Sequence, residues 1–229
     1  MGLIQGIYGK VKSEIGIGTL IGQYTIIDDG VQVGKDCKIG HRVTLKAGTI
    51  MKNNSIIDDH CCTTGACYIG EHVNIRTGAI ISKATIIEDW VFIGPGVITN
   101  HTKHVDHGRT NLPNDQLLTY ISFGSIIGSQ CSIVAGVYIG PHSVIGAGSV
   151  ITKDIEGNGV YFGDPVKRVK DLPEDWKVDR SWDYPLKGEP GQMYLRLSII
   201  EQIAEYVPGL RYGQFVEKHS KGEIIDVMG

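Results

Sequence analysis

Aliphatic residues recur at every sixth position through most of this chain. The first run extends from Ile15 to Thr99, and the spacing returns from Ile127 to Ile151. A second row lies four residues after the first and holds small residues such as Val43. Neither an α-helix nor an alternating β-strand has a period of six. The spacing therefore predicts an all-β fold, a hexapeptide-repeat parallel β-helix of about six coils.

Each hexad is expected to form one short strand and one turn, so that three hexads close a triangular coil of about 18 residues. The aliphatic residue points into the prism, and the small residue fills the corner beside it. A single coil cannot bury its own core, because it offers only one layer of side chains. Stability must therefore come from the stacking of neighbouring coils.

The repeat is interrupted between residues 100 and 124, where the distance from Thr99 to Ile127 is not a multiple of six. The chain must leave the prism there and return, and insertions in repeat folds often lie on the binding face. His101, His104 and His107 all fall in this segment. Histidine is the natural general base near neutral pH. The interruption is therefore the predicted catalytic segment.

Four further histidines lie among the coils, and we interpret them as surface turn residues. They are His41, His60, His72 and His142. The cysteines also follow the repeat, because four of the five occupy the small-residue row. Those four are Cys37, Cys61, Cys67 and Cys131. We therefore expect compact buried thiols and no disulfides.

The charge balance and hydropathy of the chain exclude several classes of partner. The formal net charge is −3, and no run of lysine and arginine marks a phosphate-binding face, so no nucleic acid partner is expected. No apolar run is long enough for a membrane span, and no signal peptide is evident. A cytoplasmic protein with no membrane association is predicted.

Two other functions are compatible with the histidine-rich segment. The spacing of His101, His104 and His107 resembles a metal-binding pattern, and γ-class carbonic anhydrases bind zinc on a fold of this kind. That alternative would make the chain a metalloenzyme. The other alternative is a non-catalytic β-helix scaffold whose segment is a polar surface loop.

Residues 127–154 and 163–170 carry the most specific sequence signal. The first stretch ends in GAGSVITKD and the second reads GDPVKRVK. The first resembles the final coils of hexapeptide-repeat acyltransferases, especially the galactoside and maltose O-acetyltransferases, and the second resembles that family's terminal G-x-P-A-K/R element. The FIGPGV…TN segment at 92–100 is similar to that of sugar-nucleotide N-acyltransferases. The resemblance implies a left-handed coil, a homotrimer, and transfer of an acyl group from acetyl-CoA to a small-molecule acceptor, with no metal required.

The resemblance also implies catalytic and acceptor-binding residues. The family's catalytic histidine lies nine residues after the proline of a Gly-Pro motif, and here that spacing leads from Pro95 to His104. Asn74 lies at the spacing of an asparagine that lines the family's acceptor site, and we assign it as catalytic with His104. Arg76, Asn100 and His101 are the predicted acceptor-binding residues. Arg76 stands where the family has a second asparagine, and it would suit an acceptor that carries a phosphate.

The co-substrate contacts implied by the resemblance lie in the late part of the chain. They are Ser129, Ala147, Thr152, Lys153, Lys167 and Lys170. The three lysines are chemically suitable partners for the phosphates of CoA.

Composition changes after residue 170, so we divide the chain into a β-helix domain at 1–170 and an extension at 171–229. Residues 192–207 have the spacing of an amphipathic helix, with Leu197, Ile200, Ala204 and Val207 on one face. Met193 would extend that face. We interpret the helix as one that packs on the prism or on a neighbouring subunit, and the alternative is a cap over a partner or acceptor site.

Overall fold

The structure is a computed structural model, and it describes residues 13–105, 107–108, 110–113, 115–178 and 196–219. The strands in chain order are β1 (Glu14–Ile15), β2 (Leu20–Ile21), β3 (Ile26–Ile27), β4 (Gln32–Val33), β5 (Lys38–Ile39), β6 (Thr44–Leu45), β7 (Ile50–Met51), β8 (Ile56–Ile57), β9 (Cys62–Thr63), β10 (Tyr68–Ile69), β11 (Asn74–Ile75), β12 (Ile80–Ile81), β13 (Thr85–Ile87), β14 (Phe92–Ile93), β15 (Ile98–Thr99), β16 (Gln116–Leu117), β17 (Thr119–Ile121), β18 (Ile126–Ile127), β19 (Ser132–Ile133), β20 (Tyr138–Ile139), β21 (Val144–Ile145), β22 (Val150–Ile151), β23 (Gly159–Gly163), β24 (Val166–Asp171) and β25 (Leu210–Arg211). The helices are a 3-10 turn (Glu174–Trp176), α1 (Leu197–Tyr206) and α2 (Gly213–His219).

Three stacks of short parallel strands form the faces of a prism, as the period of six predicted. Face A is β1-β4-β7-β10-β13-β17-β20, face B is β2-β5-β8-β11-β14-β18-β21-β23-β24, and face C is β3-β6-β9-β12-β15-β19-β22. Within a face, Glu14 lies opposite Gln32 and Tyr68 opposite Ile86, so one coil is 18 residues. The predicted fold class is confirmed, and this nearly all-β solenoid is consistent with a left-handed β-helix.

The core is one continuous column of inward-facing side chains. Ile69 and Ile75 from the aliphatic row and Val73 from the small-residue row are all fully buried or nearly so. The predicted thiols behave in the same way, because Cys37, Cys61, Cys67 and Cys131 are buried, and all five cysteines are free. Burial raises the pKa of Cys61 to about 11 and that of Cys67 to about 12, so these thiols stay neutral.

The prism resumes earlier than the sequence analysis predicted. Ile121 on β17 pairs with Ile87 below it and Ile139 above it, and it is fully buried. The excursion therefore ends before residue 119, not near residue 124. Ile121 lies six residues before Ile127 and thus belongs to the aliphatic row, which was counted only from Ile127. With it, face A has seven strands, face C also has seven and face B has eight parallel strands, so the described part of the prism has seven to eight coils rather than about six.

Helix α1 of the C-terminal extension packs on the outer side of face A. Ile199, Ile200, Ile203 and Val207 are buried there against outward side chains of the prism. Those prism residues are Ile50, Tyr68, Ile86, Tyr120 and Tyr138. The helix predicted at 192–207 is thus present from Leu197, while Met193 lies outside the described residues. Burying one isoleucine side chain contributes about 1.5–3 kcal/mol, so this contact forms a substantial second hydrophobic cluster outside the prism.

A buried polar network anchors the start of α1 to the prism. Glu88 is fully buried, and it accepts hydrogen bonds from the Tyr120 hydroxyl at 2.5 Å and the Phe123 backbone N–H at 2.8 Å. Arg196 Nε lies 3.6 Å from Glu88, and Arg196 Nη2 lies 2.8 Å from Asp89. Burial acts to lower the pKa of Arg196, but the two carboxylates outweigh it and raise that pKa, so the guanidinium stays charged.

Within the described residues, no helix is both long and apolar enough to cross a membrane.

Candidate functional site

The excursion leaves the prism at the corner between face C and face A, which we call the loop corner. It departs after β15 and returns through β16 to β17. Two hydrogen bonds close its neck: Leu117 N donates to the His101 carbonyl at 2.8 Å, and Thr119 Oγ1 donates to the Asn100 carbonyl at 3.2 Å. The excursion is therefore a closed loop attached to one edge of the prism.

His104 lies on the outer part of the excursion with its side chain exposed. The hydroxyl of Thr102 bonds to the His104 backbone in both directions, accepting from the N–H at 3.3 Å and donating to the carbonyl at 2.9 Å. These bonds fix the backbone of a tight turn and leave the imidazole available to a ligand.

His101 is a second candidate base that spacing alone did not single out. It lies at the neck of the loop and is half-buried. Burial and, to a lesser extent, the charge of Lys83 lower its pKa, so the imidazole is neutral at pH 7 and able to accept a proton. The resemblance predicts an acceptor-binding role for His101, and nothing in the spacing indicates that Lys83 lies beside it.

Asn100 supports the neck of the loop. Its Nδ2 and its backbone N–H each donate to the Ile133 carbonyl at 3.0 Å. The side-chain amide is therefore already engaged on its donor side. An acceptor-binding role for Asn100, as predicted from the resemblance, would have to use the oxygen of the amide.

A surface cavity of about 360 Å³ lies on the loop corner above the excursion. Lys103, Gly136, Val137, Thr152, Lys153 and Asp154 line it. Two of the predicted co-substrate residues, Thr152 and Lys153, thus lie in the same cavity as Lys103, the residue beside His104. Lys103 was missed by the sequence analysis. The two ammonium groups favour an anionic ligand, while Asp154 Oδ1 already accepts the Tyr138 N–H at 3.0 Å.

Other predicted residues lie at the corner between face B and face C, which we call the second corner. Asn74 is half-buried on β11, and its Oδ1 has no hydrogen-bond partner among the described residues. Arg76 follows at the turn, where its Nε pairs with Asp58 at 3.0 Å. Its charge is therefore partly neutralised within the chain, which differs from the free cation that phosphate binding would use.

The late co-substrate residues continue along this second corner. The backbone carbonyl of Ser129 accepts a hydrogen bond from the Gly148 N–H at 2.8 Å, and this bond links two adjacent coils. A Cβ on Gly128 would lie 2.5 Å from the Ala147 nitrogen, so only glycine allows this close stacking. The coils therefore stack closely at this edge, and Ala147 is exposed there.

The predicted lysines at the end of the prism lie on β24, which pairs antiparallel with β23. Lys167 and Lys170 are both exposed. Lys170 Nζ lies 5.0 Å from the centre of the Trp176 ring, a cation–π contact that holds it near the hairpin. Both ammonium groups remain accessible to an anion.

One chain does not bring all the predicted residues together. His104, Thr152 and Lys153 lie on the loop corner, whereas Asn74 and Ala147 lie at the far edge of face C. The two groups flank the same face. They can form one site only if the loop corner of one copy lies against the second corner of another.

Within the described residues, no three His, Cys, Asp or Glu side chains come together as a metal site would need.

Comparison with known proteins identifies the repeat in the later coils. Residues 119–153 match the profile of the bacterial transferase hexapeptide (six repeats). The match covers the return of the chain to the prism and most of the final coils. The predicted resemblance to hexapeptide-repeat acyltransferases is thereby confirmed, and the repeat is that of the bacterial hexapeptide transferases.

Particular relatives share the later coils. The chain is 36% identical over 103 residues to the galactoside O-acetyltransferase of Escherichia coli K12, covering 41% of this chain and 51% of the relative. It is 37% identical over 81 residues to the bifunctional protein GlmU of Psychrobacter arcticus, covering 35% of this chain and 16% of that protein. The chain thus spans about half, or much less, of the length of these curated relatives.

Among solved structures, the polySia-specific acetyltransferase NeuO superimposes with a TM-score of 0.56 at 20% identity. The match covers 72% of this chain and 84% of NeuO. This likeness shows the shared fold.

Proposed function

We propose that the chain is an acyl-CoA-dependent acyltransferase that transfers an acetyl group to a hydroxyl or amine of a sugar or sugar nucleotide. The observation that carries the proposal is the cavity on the loop corner, which joins Lys103 to Thr152 and Lys153. It lies beside the histidine excursion and presents two cations for an anionic co-substrate. The names of the curated relatives support the acetyl group, since the galactoside O-acetyltransferase is one of them.

In this proposal, CoA lies along the loop corner and extends towards the end of the prism. The coils of Asn100 and Thr152 are two steps apart, or roughly 10 Å at the usual spacing of parallel strands. The thioester would lie near the excursion, while Lys153, Lys167 and Lys170 would contact the phosphates. The backbone beside Ser129 and Ala147 of a facing copy would border the pantetheine arm.

The reaction is a direct transfer. The acceptor hydroxyl or amine attacks the thioester carbonyl, and His104 takes the proton that the nucleophile loses. The tetrahedral intermediate collapses, the C–S bond breaks, and the thiolate of CoA leaves with a proton returned by the imidazole. Backbone N–H groups of the late coils would stabilise the oxyanion, a role usually contributing about 3 kcal/mol.

We propose that the active assembly is a homotrimer. The predicted residues divide between two corners that flank face C, so a ring of copies in contact through that face would complete each site with Asn74 and Arg76 of a neighbour. Face C carries exposed or half-buried apolar side chains, among them Ile26, Ile80 and Ile98. A rotation that closes on itself favours a cyclic oligomer over a filament. Five free thiols favour a reducing, cytoplasmic environment.

The test is a thiol-release assay with acetyl-CoA against a panel of free sugars, amino sugars and nucleotide-linked amino sugars. Acceptor-dependent release of CoA is expected for at least one member of the panel. Binding of CoA without turnover on any acceptor, or no binding of CoA at all, would contradict the proposal. Metal analysis of the same sample tests the metalloenzyme alternative, which requires a stoichiometric metal ion.

A further inference from the structure

The C-terminal extension contacts the excursion itself as well as the prism. After α1, the chain forms β25, which pairs in parallel with β16 on the returning limb of the excursion. Gln116 lies opposite Leu210, and Leu117 lies opposite Arg211. This small two-stranded sheet is separate from the three faces of the prism.

A salt bridge reinforces this pairing. Arg211 Nη2 lies 2.9 Å from Asp115 Oδ1, and the Asp115 side chain is only 20% exposed. A partly shielded carboxylate gains more from its partner than two fully exposed charges do, because water screens the pair less. The pair joins the extension directly to the base of the excursion.

The contact continues from β16 to the histidines. Leu117, the strand partner of Arg211, donates its backbone N–H to the His101 carbonyl at 2.8 Å. On the prism side, Leu117 packs on Gly136, where a Cβ would lie 3.4 Å from its side chain. Leu117 is thus held between the extension and a cavity-lining coil. His101 is three residues from His104, so a shift of this neck moves both imidazoles.

We propose that β25 and the pair Arg211–Asp115 form a clamp that positions the histidine excursion for acyl transfer, and that Arg211 is a positioning residue. The effect of the clamp on turnover rests on the proposed function. The clamp itself rests only on the contacts of β25 and Arg211 described above. The extension then has two roles: α1 covers face A, and β25 fixes the excursion. Arg211 does not line the cavity and is not expected to touch CoA.

The test is the charge reversal Arg211→Glu, with Glu205→Arg as its matched control. Glu205 is an exposed residue of α1 in the same extension, and the control reverses a charge of equal size away from the clamp. In Arg211→Glu we expect kcat to fall about tenfold, because small misplacements of catalytic groups reduce turnover strongly. The KM for acetyl-CoA should stay within about twofold. The control should keep the wild-type kcat.

The double variant Arg211→Glu with Asp115→Arg restores an opposite-charge pair and should recover most of kcat, which a general loss of stability would not allow. Hydrogen exchange provides a readout that is independent of turnover: the amides of residues 101–104 and 115–117 should exchange faster in Arg211→Glu only. An unchanged exchange rate there would overturn the clamp, whether or not an acceptor has been found. With an active wild type, an unchanged kcat in Arg211→Glu would also overturn it. An inactive wild type with faster exchange in the variant would refute the proposed function and support the clamp.

Discussion

His142 gives the sharpest test of the packing at the end of the prism. It occupies a left-handed turn with a φ of 51°, and its side chain is only 1% exposed. The ring meets Phe123 edge-on at 5.5 Å and lies beside Gly124, whose added Cβ would be 2.9 Å from Nδ1. Neither ring nitrogen has a hydrogen-bond partner among the described residues. The sequence prediction that His142 is a surface turn residue was therefore wrong, while His41, His60 and His72 are exposed as expected.

Burial and, less strongly, the charge of Lys177 lower the pKa of His142 to about 4, and Glu174 opposes them. In the unfolded chain His142 binds a proton below about pH 6.5, whereas in the folded chain it stays neutral until about pH 4. The free energy of unfolding is therefore undiminished by His142 above about pH 6.5, and it decreases as the pH falls towards 4. The full shift corresponds to about 3 kcal/mol, and about 2 kcal/mol of it is lost at pH 5.

The perturbation is His142→Asn, since asparagine tolerates the left-handed turn and does not titrate. Urea unfolding at pH 7.5 and pH 5.0, at one protein concentration, gives the free energy of unfolding for each form. The wild type should lose about 2 kcal/mol more than His142→Asn over this interval. His60→Asn, at an exposed turn with a φ of 61°, is the matched control and should keep the wild-type pH dependence. Equal losses in the wild type and His142→Asn would refute the buried neutral imidazole.

Three further predictions concern the base, the anchor and the assembly. His104→Ala should reduce kcat at least about 100-fold with an unchanged fold, whereas His107→Ala should not; near-normal turnover of His104→Ala would transfer the assignment of the base to His101. Arg196→Met should lower the free energy of unfolding by about 3 kcal/mol, measured by urea unfolding, because Glu88 is left buried without its cation; a change below about 1 kcal/mol would contradict the anchor. Ile98→Asp should convert a trimer to monomers in light scattering and abolish turnover, since Ile98 lies 41% exposed on face C; an active trimer would place the interface elsewhere.

The prism could be predicted from sequence because its contacts repeat at fixed spacing. Outside the excursion, an inward position such as Ile69 meets its counterpart 18 residues away, so one periodic pattern specifies most of the core. The same regularity located the interruption and its histidines. Counting the aliphatic row again only from Ile127 places Tyr120 and Ile121 in the loop, whereas both residues lie on β17.

The remaining features depend on contacts between distant segments. Glu88 and Arg196 are far apart in sequence, and no spacing indicates that they share a buried network. The position of His142 in its hexad predicts an exposed turn residue. In the structure His142 is buried, because the segment that includes Val178 lies over it. The division of the predicted site between two corners also emerges only when the strands are assigned to faces. Periodicity within a sequence carries no information about which segment covers which face.

The uniform stacking of the coils makes the length of the protein adjustable. The contacts of α1 with the prism begin at Gly48, which lies against Tyr206, and the excursion, the cavity and the clamp all lie at or beyond Ser82. An insertion of one complete 18-residue turn ahead of β6 would therefore lengthen the rod and leave every spacing in the later half as it is. An insertion of any other size that stayed within the prism would rotate all downstream side chains to the wrong face, whereas one extruded as a loop, as the excursion is, keeps the register of the faces. In such a molecule, evolution and protein engineers alike can vary the overall length only in whole turns.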